Sequence, residues 1–185
     1  PEEMYAPDYC TFVDMNKLTD VLCGKTRPIH FSGVCSVVSK LFNIVTPDRA
    51  YFGQKDAQQL AVIRRMVRDL NFGIEIVGCP IVREPDGLAL SSRNTYLNTE
   101  ERKAALVLSQ ALKLGKDMME SGETDAVKIR KAMVEHIEKE PLARIDYVEI
   151  VDADSLESVQ KIENKVLTAM AVYIGNTRLI DNFSR

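Results

Sequence analysis

The sequence has no tryptophan, four cysteines and two histidines, His30 and His136, in 185 residues. Two imidazoles exclude any site that needs three of them on this chain. Cys10, Cys23, Cys35 and Cys79 form no C-x-x-C pair and no ligand-like spacing, which argues against a zinc site. Their apolar settings, such as Gly33-Val34-Cys35-Ser36-Val37-Val38, predict small buried hydrophobes rather than a disulfide framework. No apolar run approaches the roughly 20 residues of a membrane-spanning helix; the longest, Val166 to Ile174, contains Thr168. Positive charge is not in excess: 24 Lys and Arg stand against 27 Asp and Glu, a net charge of −3. That balance argues against a nucleic-acid binder that tracks phosphates. Repeats, low-complexity segments and a signal or transit pattern are also missing, and free thiols fit a reducing cytoplasm.

What is present is an ordinary globular composition, 45% hydrophobic and 28% charged, on a chain long enough to bury a core. Tyr9 to Val13 reads as a short strand, and Met15 to Leu22 as a short helix ended by Gly24. Lys25 to Gly33 reads as a polar loop. Val34 to Val45 carries apolar residues on one helical face and stops before Pro47. Ala50 to Phe52 reads as a strand, Gln58 to Leu70 as a helix, and Ile74 to Val82 as a second buried strand. This alternation predicts an α/β unit with a parallel sheet, whose ligands sit at the carboxyl ends of its strands. Beyond Pro85-Asp86-Gly87 the pattern changes. Asn98 to Met119 reads as one long amphipathic helix capped by Asn98 and Glu101, followed by a helix over Thr124 to Glu138. Ile145 to Val151 and Val166 to Ile174 then read as strands. Two domains are expected, 1–84 and a small α+β unit at 85–185.

Three segments could carry chemistry. In Phe52-Gly53-Gln54-Lys55-Asp56-Ala57-Gln58-Gln59 a strand ends and a helix begins. Gly53 lets a ligand approach the backbone, the helix start offers N–H groups to an anion, and Lys55 adds a point charge for phosphate. Asp56 can accept from sugar hydroxyls, and Gln59 can hold a polar substrate group. The same Asp56-x-x-Gln59 spacing is also a capping box that would satisfy backbone donors and nothing more. In Gly87-Leu88-Ala89-Leu90-Ser91-Ser92-Arg93-Asn94, hydroxyls, a guanidinium and an amide form a dense donor cluster suited to charge on a phosphoryl or pyrophosphate group. A polar helix-entry loop would use the same residues. The third segment, Leu22 to Val34, contains His30, an acid or base at neutral pH with no carboxylate partner in sequence.

Taken together these segments resemble the pantothenate synthetase (pantoate–β-alanine ligase) family. The resemblance rests on Leu22-Cys23-Gly24-x-x-Arg27-Pro28-x-His30-Phe31-x-Gly33-Val34, Phe52-Gly53-x-Lys55-Asp56-x-Gln58-Gln59-Leu60, Asp86-Gly87-Leu88-Ala89-Leu90-Ser91-Ser92-Arg93-Asn94 and Thr177-Arg178-Leu179-Ile180-Asp181-Asn182. It implies a Rossmann-like nucleotide-binding domain, of which 1–84 is the remainder, and a C-terminal domain carrying a loop that closes over the triphosphate. It implies activation of pantoate by ATP and Mg²⁺ to a pantoyl adenylate, attack by β-alanine, and release of pantothenate, AMP and pyrophosphate. By likeness, Gly53, Gln54, Lys55 and Asp56 bind ATP, Val82 meets the adenine through its backbone, and Leu90, Ser91, Ser92 and Arg93 close over the phosphates. Gln59 holds pantoate, and the full-length enzyme is a cytoplasmic homodimer.

The sequence departs from the family pattern at Gln54, Ile29 and Ala57, where a glutamate, a glycine and an aromatic are usual. The larger departure is the missing His-x-Gly-His motif: neither His30 nor His136 stands in one. The chain, which begins at Pro1, is therefore expected to be a C-terminal piece of the enzyme, without ligase activity of its own, and no residue is assigned as the catalytic acid or as a metal ligand. Two other readings use the same residues: another adenylate-forming or nucleotidyl-transferring enzyme of this fold, and a non-catalytic folded domain.

Overall fold

The computed structural model describes residues 3–185; Pro1 and Glu2, the start of the segment expected to be mid-chain, lie outside the described residues. A short helix α1 (Cys23–Thr26) leads into α2 (His30–Val45), β1 (Arg49–Gly53), α3 (Ala57–Asp69) and β2 (Glu75–Cys79). β1 and β2 pair in parallel, from Arg49 opposite Glu75 to Gly53 opposite Cys79. The expected helix–strand–helix–strand alternation is thus present, as α/β with a parallel sheet. The second part holds α4 (Thr99–Ala104), α5 (Leu106–Glu120), α6 (Ala126–Ile137) and an antiparallel sheet of β3 (Ala143–Asp152), β4 (Val166–Ile174) and β5 (Thr177–Ser184).

β4 shows why this sheet joins the molecule together. It is the central strand, paired along both edges, and its side chains alternate between two faces that are both covered. Val166, Met170, Val172 and Ile174 enter a core built with α5 and α6 around Leu108, Met119, Ile129 and Met133. Leu167 and Ala169, of opposite parity, enter a second core with Phe31, Phe42, Val62, Ile63 and Met66 from α2 and α3. β3 divides in the same way: Val148 and Ile150 face the first core, Val151 the second. An unbroken apolar run is what a strand buried on both faces requires.

Several local expectations are corrected. Tyr9 to Val13 is not a strand. No strand lies beside it among the described residues, and the Val13 N–H donates instead to Ser36 Oγ at 2.9 Å. Met15 to Leu22 is a series of turns rather than a helix, and Gly24 lies inside α1 instead of ending a helix before it. A side chain at Gly24 would run into the Thr19 carbonyl, so the glycine serves a close chain crossing. The polar loop expected over 25–33 is mostly helical, with His30 opening α2. The long helix from Asn98 is interrupted at Ala105, between α4 and α5. Of the four cysteines, all unpaired, Cys35 is buried and Cys10 is exposed, so the expectation of burial fails for Cys10.

Candidate active site

Two anchors bring the start of α3 against the rest of the molecule. The first is Gln58. Its side-chain amide donates to the Leu18 and Val21 carbonyls at 2.8 and 2.7 Å, and its Oε1 accepts from the Cys23 N–H at 2.9 Å. The three hydrogen bonds tie the turns before α1, and the first residue of α1, to α3, so this buried residue is structural. The second is Asn182 on β5, which donates to the Gln54 and Lys55 carbonyls at 3.1 and 2.8 Å. Asp181 beside it is buried and takes both guanidinium nitrogens of Arg83, at 2.7 and 2.9 Å. The chain leaving β1 is therefore fixed from the C-terminal sheet by its own carbonyls.

Between these anchors lies a pocket of about 230 Å³, whose walls bring together His30, Lys55, Asp56, Gln59, Arg93 and Arg178. They come from α2, the turn Gln54–Asp56, α3, the turn Ser92–Tyr96 and β5. The capping-box alternative for Asp56 and Gln59 is excluded: Asp56 stands at the start of α3 and makes no side-chain cap bond. Both residues line the pocket instead. Four expected residues thus meet in one cavity: Lys55, Asp56, Gln59 and Arg93.

The other expected residues sit elsewhere. Gln54 lines an adjoining, larger cleft. Gly53 is exposed with open space where a side chain would be, and Val82 and Leu90 are 64% and 56% exposed. The Val82 carbonyl already accepts the Leu90 N–H at 2.9 Å, closing a turn with Gly87 in the left-handed region at its tip. Ser91 Oγ accepts the Arg93 N–H at 3.2 Å, which fixes the start of the turn that carries Arg93, while Ser92 is exposed. Asn94 donates to Glu84 and to the Ala89 carbonyl, and Arg102 grips Glu84 and Asp86. These bonds hold residues 82–94 as an ordered projection beside the pocket.

Sequence reasoning gave no role to Arg178, Tyr147, Cys23 or Arg27, which also line the pocket. Arg178 places Nε and Nη2 on Asp146 Oδ2 at 3.0 and 2.7 Å, and its Nη2 also reaches Cys23 Sγ at 3.5 Å. The Tyr147 hydroxyl lies 3.3 Å from the same sulfur. The signal for Arg178 was available as alternation in Arg178-x-Ile180-x-Asn182, which puts all three on the pocket face of β5.

Burial sets the protonation of these groups. It lowers the Lys55 ammonium, helped by the Arg93 charge and opposed by Asp56. Burial also lowers the His30 imidazole, with Arg27 as the next cause and Asp56 opposing. The Tyr147 phenol is pushed up by burial and by Cys23. Burial works against the Arg178 charge, yet Cys23 and Asp146 hold it above the ordinary arginine value. The pocket is a cationic cavity with one fixed guanidinium, an amide and a neutral-leaning imidazole.

The pantoate-beta-alanine ligase family model matches residues 1–184. The pantothenate synthetase of Clostridium acetobutylicum is 64% identical over 184 residues, covering 100% of this chain and 66% of that protein. That of Thermotoga neapolitana is 61% identical over 181 residues, covering 98% of this chain and 65% of that one. Among solved structures, pantothenate synthetase from Thermus thermophilus superposes with a TM-score of 0.94 at 45% identity, covering 98% of this chain and 66% of that one. A pantoate-beta-alanine ligase from Francisella tularensis, complexed with beta-gamma ATP and beta-alanine, superposes with a TM-score of 0.72 at 30% identity, covering 98% and 61%. The chain thus spans just under two thirds of the relatives it matches. On the family match along its length and on these identities, the chain belongs to the pantoate–β-alanine ligase family.

Proposed function

We propose that this chain supplies the pantoate and phosphate side of ATP-dependent pantothenate formation. The carrying observation is the convergence of Lys55, Asp56, Gln59 and Arg93, from separate elements, in one pocket of a chain of this family. In the reaction, a pantoate carboxylate oxygen attacks the α-phosphorus of ATP, giving pantoyl adenylate and pyrophosphate. The uncharged amine of β-alanine then attacks the acyl carbon, forming the amide and releasing AMP. Both steps need the reactants aligned and the departing negative charge balanced.

The chain's own groups suit those tasks. At about 230 Å³ the pocket is smaller than the roughly 300–1,000 Å³ of a drug-sized ligand site. It suits a small hydroxy acid and the phosphate end of the nucleotide. Gln59 binds the pantoate hydroxyl through its amide, and Lys55 and Arg93 face the phosphates. Adenosine lies on the open surface of Gly53 and Val82, where backbone is accessible, with Asp56 toward the ribose and Leu90, Ser91 and Ser92 closing from the projecting turn. Gln54 supports this surface from the neighbouring cleft. No group of three metal-binding side chains is found among the described residues. Mg²⁺ fits as an ion carried on the ATP phosphates, as Mg²⁺ commonly is, with Asp56 as the pocket carboxylate beside it; its contribution is neutralisation of phosphate charge. A full-length homodimer in the cytoplasm is part of the same reading; no helix among the described residues is long and apolar enough to cross a membrane.

Lacking the family's His-x-Gly-His motif, the chain by itself is expected to bind ATP without producing pantothenate. Calorimetric titration with ATP tests the first half. Binding at millimolar ATP that falls at least about tenfold in Lys55→Ala supports the reading, since a charge-assisted phosphate contact is worth about that much. No heat at millimolar ATP would leave a folded domain without a nucleotide site. Pantothenate formed by the chain alone from pantoate, β-alanine and ATP would refute the second half.

A further inference from the structure

A cleft of about 890 Å³ adjoins the pocket of Lys55 and Gln59, sharing Ala57 and Asn182 with it. One wall is the outer flank of α3, where Ala61, Arg64, Arg65 and Arg68 follow the spacing of a single helical stripe. Lys165, next to the start of β4, and Asp154 also line the cleft. Arg83, another lining residue, is already neutralised by Asp181. Arg68 is likewise paired with Asp69. Arg64, Arg65 and Lys165 have no carboxylate within 4.0 Å among the described residues, and Asp154 is the one acidic residue among those described in the walls.

The folded state gains little from this arrangement. Like charges one turn apart, as at Arg64 and Arg68, weaken an isolated helix. The lower part of β2 makes room for one of them: a side chain at Gly78 would lie 3.1 Å from Arg64 Nη2 and 3.3 Å from Gln54 Nε2. Guanidinium groups bind phosphate oxygens in pairs, and several cations along a cleft suit a chain of phosphates better than a single carboxylate. We propose that this cleft is a second anion site, adjoining the candidate active site along Ala57 and Asn182, that takes a small oligophosphate. Gln54 and Asn182 line the cleft too, so its ligand would touch the same anchor that fixes the Lys55 turn.

The test is calorimetric titration of tripolyphosphate into the 185-residue chain carrying Lys55→Ala and Arg93→Ala, which disables the other cationic pocket. The proposal expects binding in this background. It expects a loss of at least about tenfold on adding either Arg65→Glu, on α3, or Lys165→Glu, just before β4. Lys165 is exposed, so its variant keeps the test sound if a change on α3 disturbs folding. Absence of binding in the background, or binding that Lys165→Glu leaves within about twofold, overturns the proposal.

Discussion

Neighbouring residues of one type divide here between structure and chemistry. Gln58 spends its whole amide on three backbone partners, while Gln59 keeps its own for the pocket. Nothing local separates them in the sequence, because the partners of Gln58 lie 35 to 40 residues away. The motif that named Lys55, Asp56 and Gln59 is local, and these were legible; for Arg178 alternation gave its face on β5 but not its partner, Asp146, 32 residues earlier. His30 carries a pH prediction. Burial favours its neutral form in the folded protein, with Arg27 acting the same way, so its folded pKa lies below the ordinary 6.5. A depressed folded pKa means that the unfolded chain binds the extra proton first. His30 therefore contributes stability fully above 6.5, and this is lost as pH falls through its lowered folded value. Urea midpoints of wild type and His30→Gln should diverge less at about pH 5.5 than at about pH 8. A difference independent of pH would show that the imidazole does not titrate this way.

Elements were legible where their signals were local. Asn98 illustrates this: its side chain accepts from the Glu100 and Glu101 N–H groups at 2.9 Å, and Glu101 returns the bond to the Asn98 N–H at 3.0 Å. The spacing alone announced that box. By contrast, the turns over 17–22 hold apolar residues at helical spacing, but Gln58 takes the Leu18 and Val21 carbonyls, and α1 forms only after them. Likewise, β5 follows β4 after two residues, yet its polar Arg178, Asp181 and Asn182 hid its strand character. Those polar groups are tolerated because each is paired, Arg178 with Asp146 on β3, Asp181 with Arg83, and Asn182 with the Gln54 and Lys55 carbonyls. Asn98→Ala removes both cap bonds from α4 and should cost about 1 kcal/mol, read as a lower urea midpoint with unchanged m-value. A midpoint unchanged within error would mean that α4 contributes no cooperative stability, consistent with local fraying at Ala105.

At the scale of the molecule, the two parts predicted from the change of pattern near residue 84 are bound by one shared sheet. β4 gives Met170 to the core of α5 and α6, and its neighbour Leu167 to the core of α2 and α3. The sequence showed an apolar run there, which announces burial on both faces, and not which helices cover each face, because those partners lie far away in the chain. A strand that belongs to both cores cannot leave one without opening the other. Unfolding in urea is therefore expected as a single transition, with helix content and tyrosine fluorescence coinciding, as the lack of tryptophan makes tyrosine the reporter. Met170→Ala and Leu167→Ala empty opposite faces of the strand, and each should cost about 2–5 kcal/mol. If the cores are coupled, either substitution lowers the midpoint of both probes together. If Leu167→Ala instead splits the curves, so that α2 and α3 melt while α5 and α6 remain folded, the two parts are independent domains and the sheet is not what joins them.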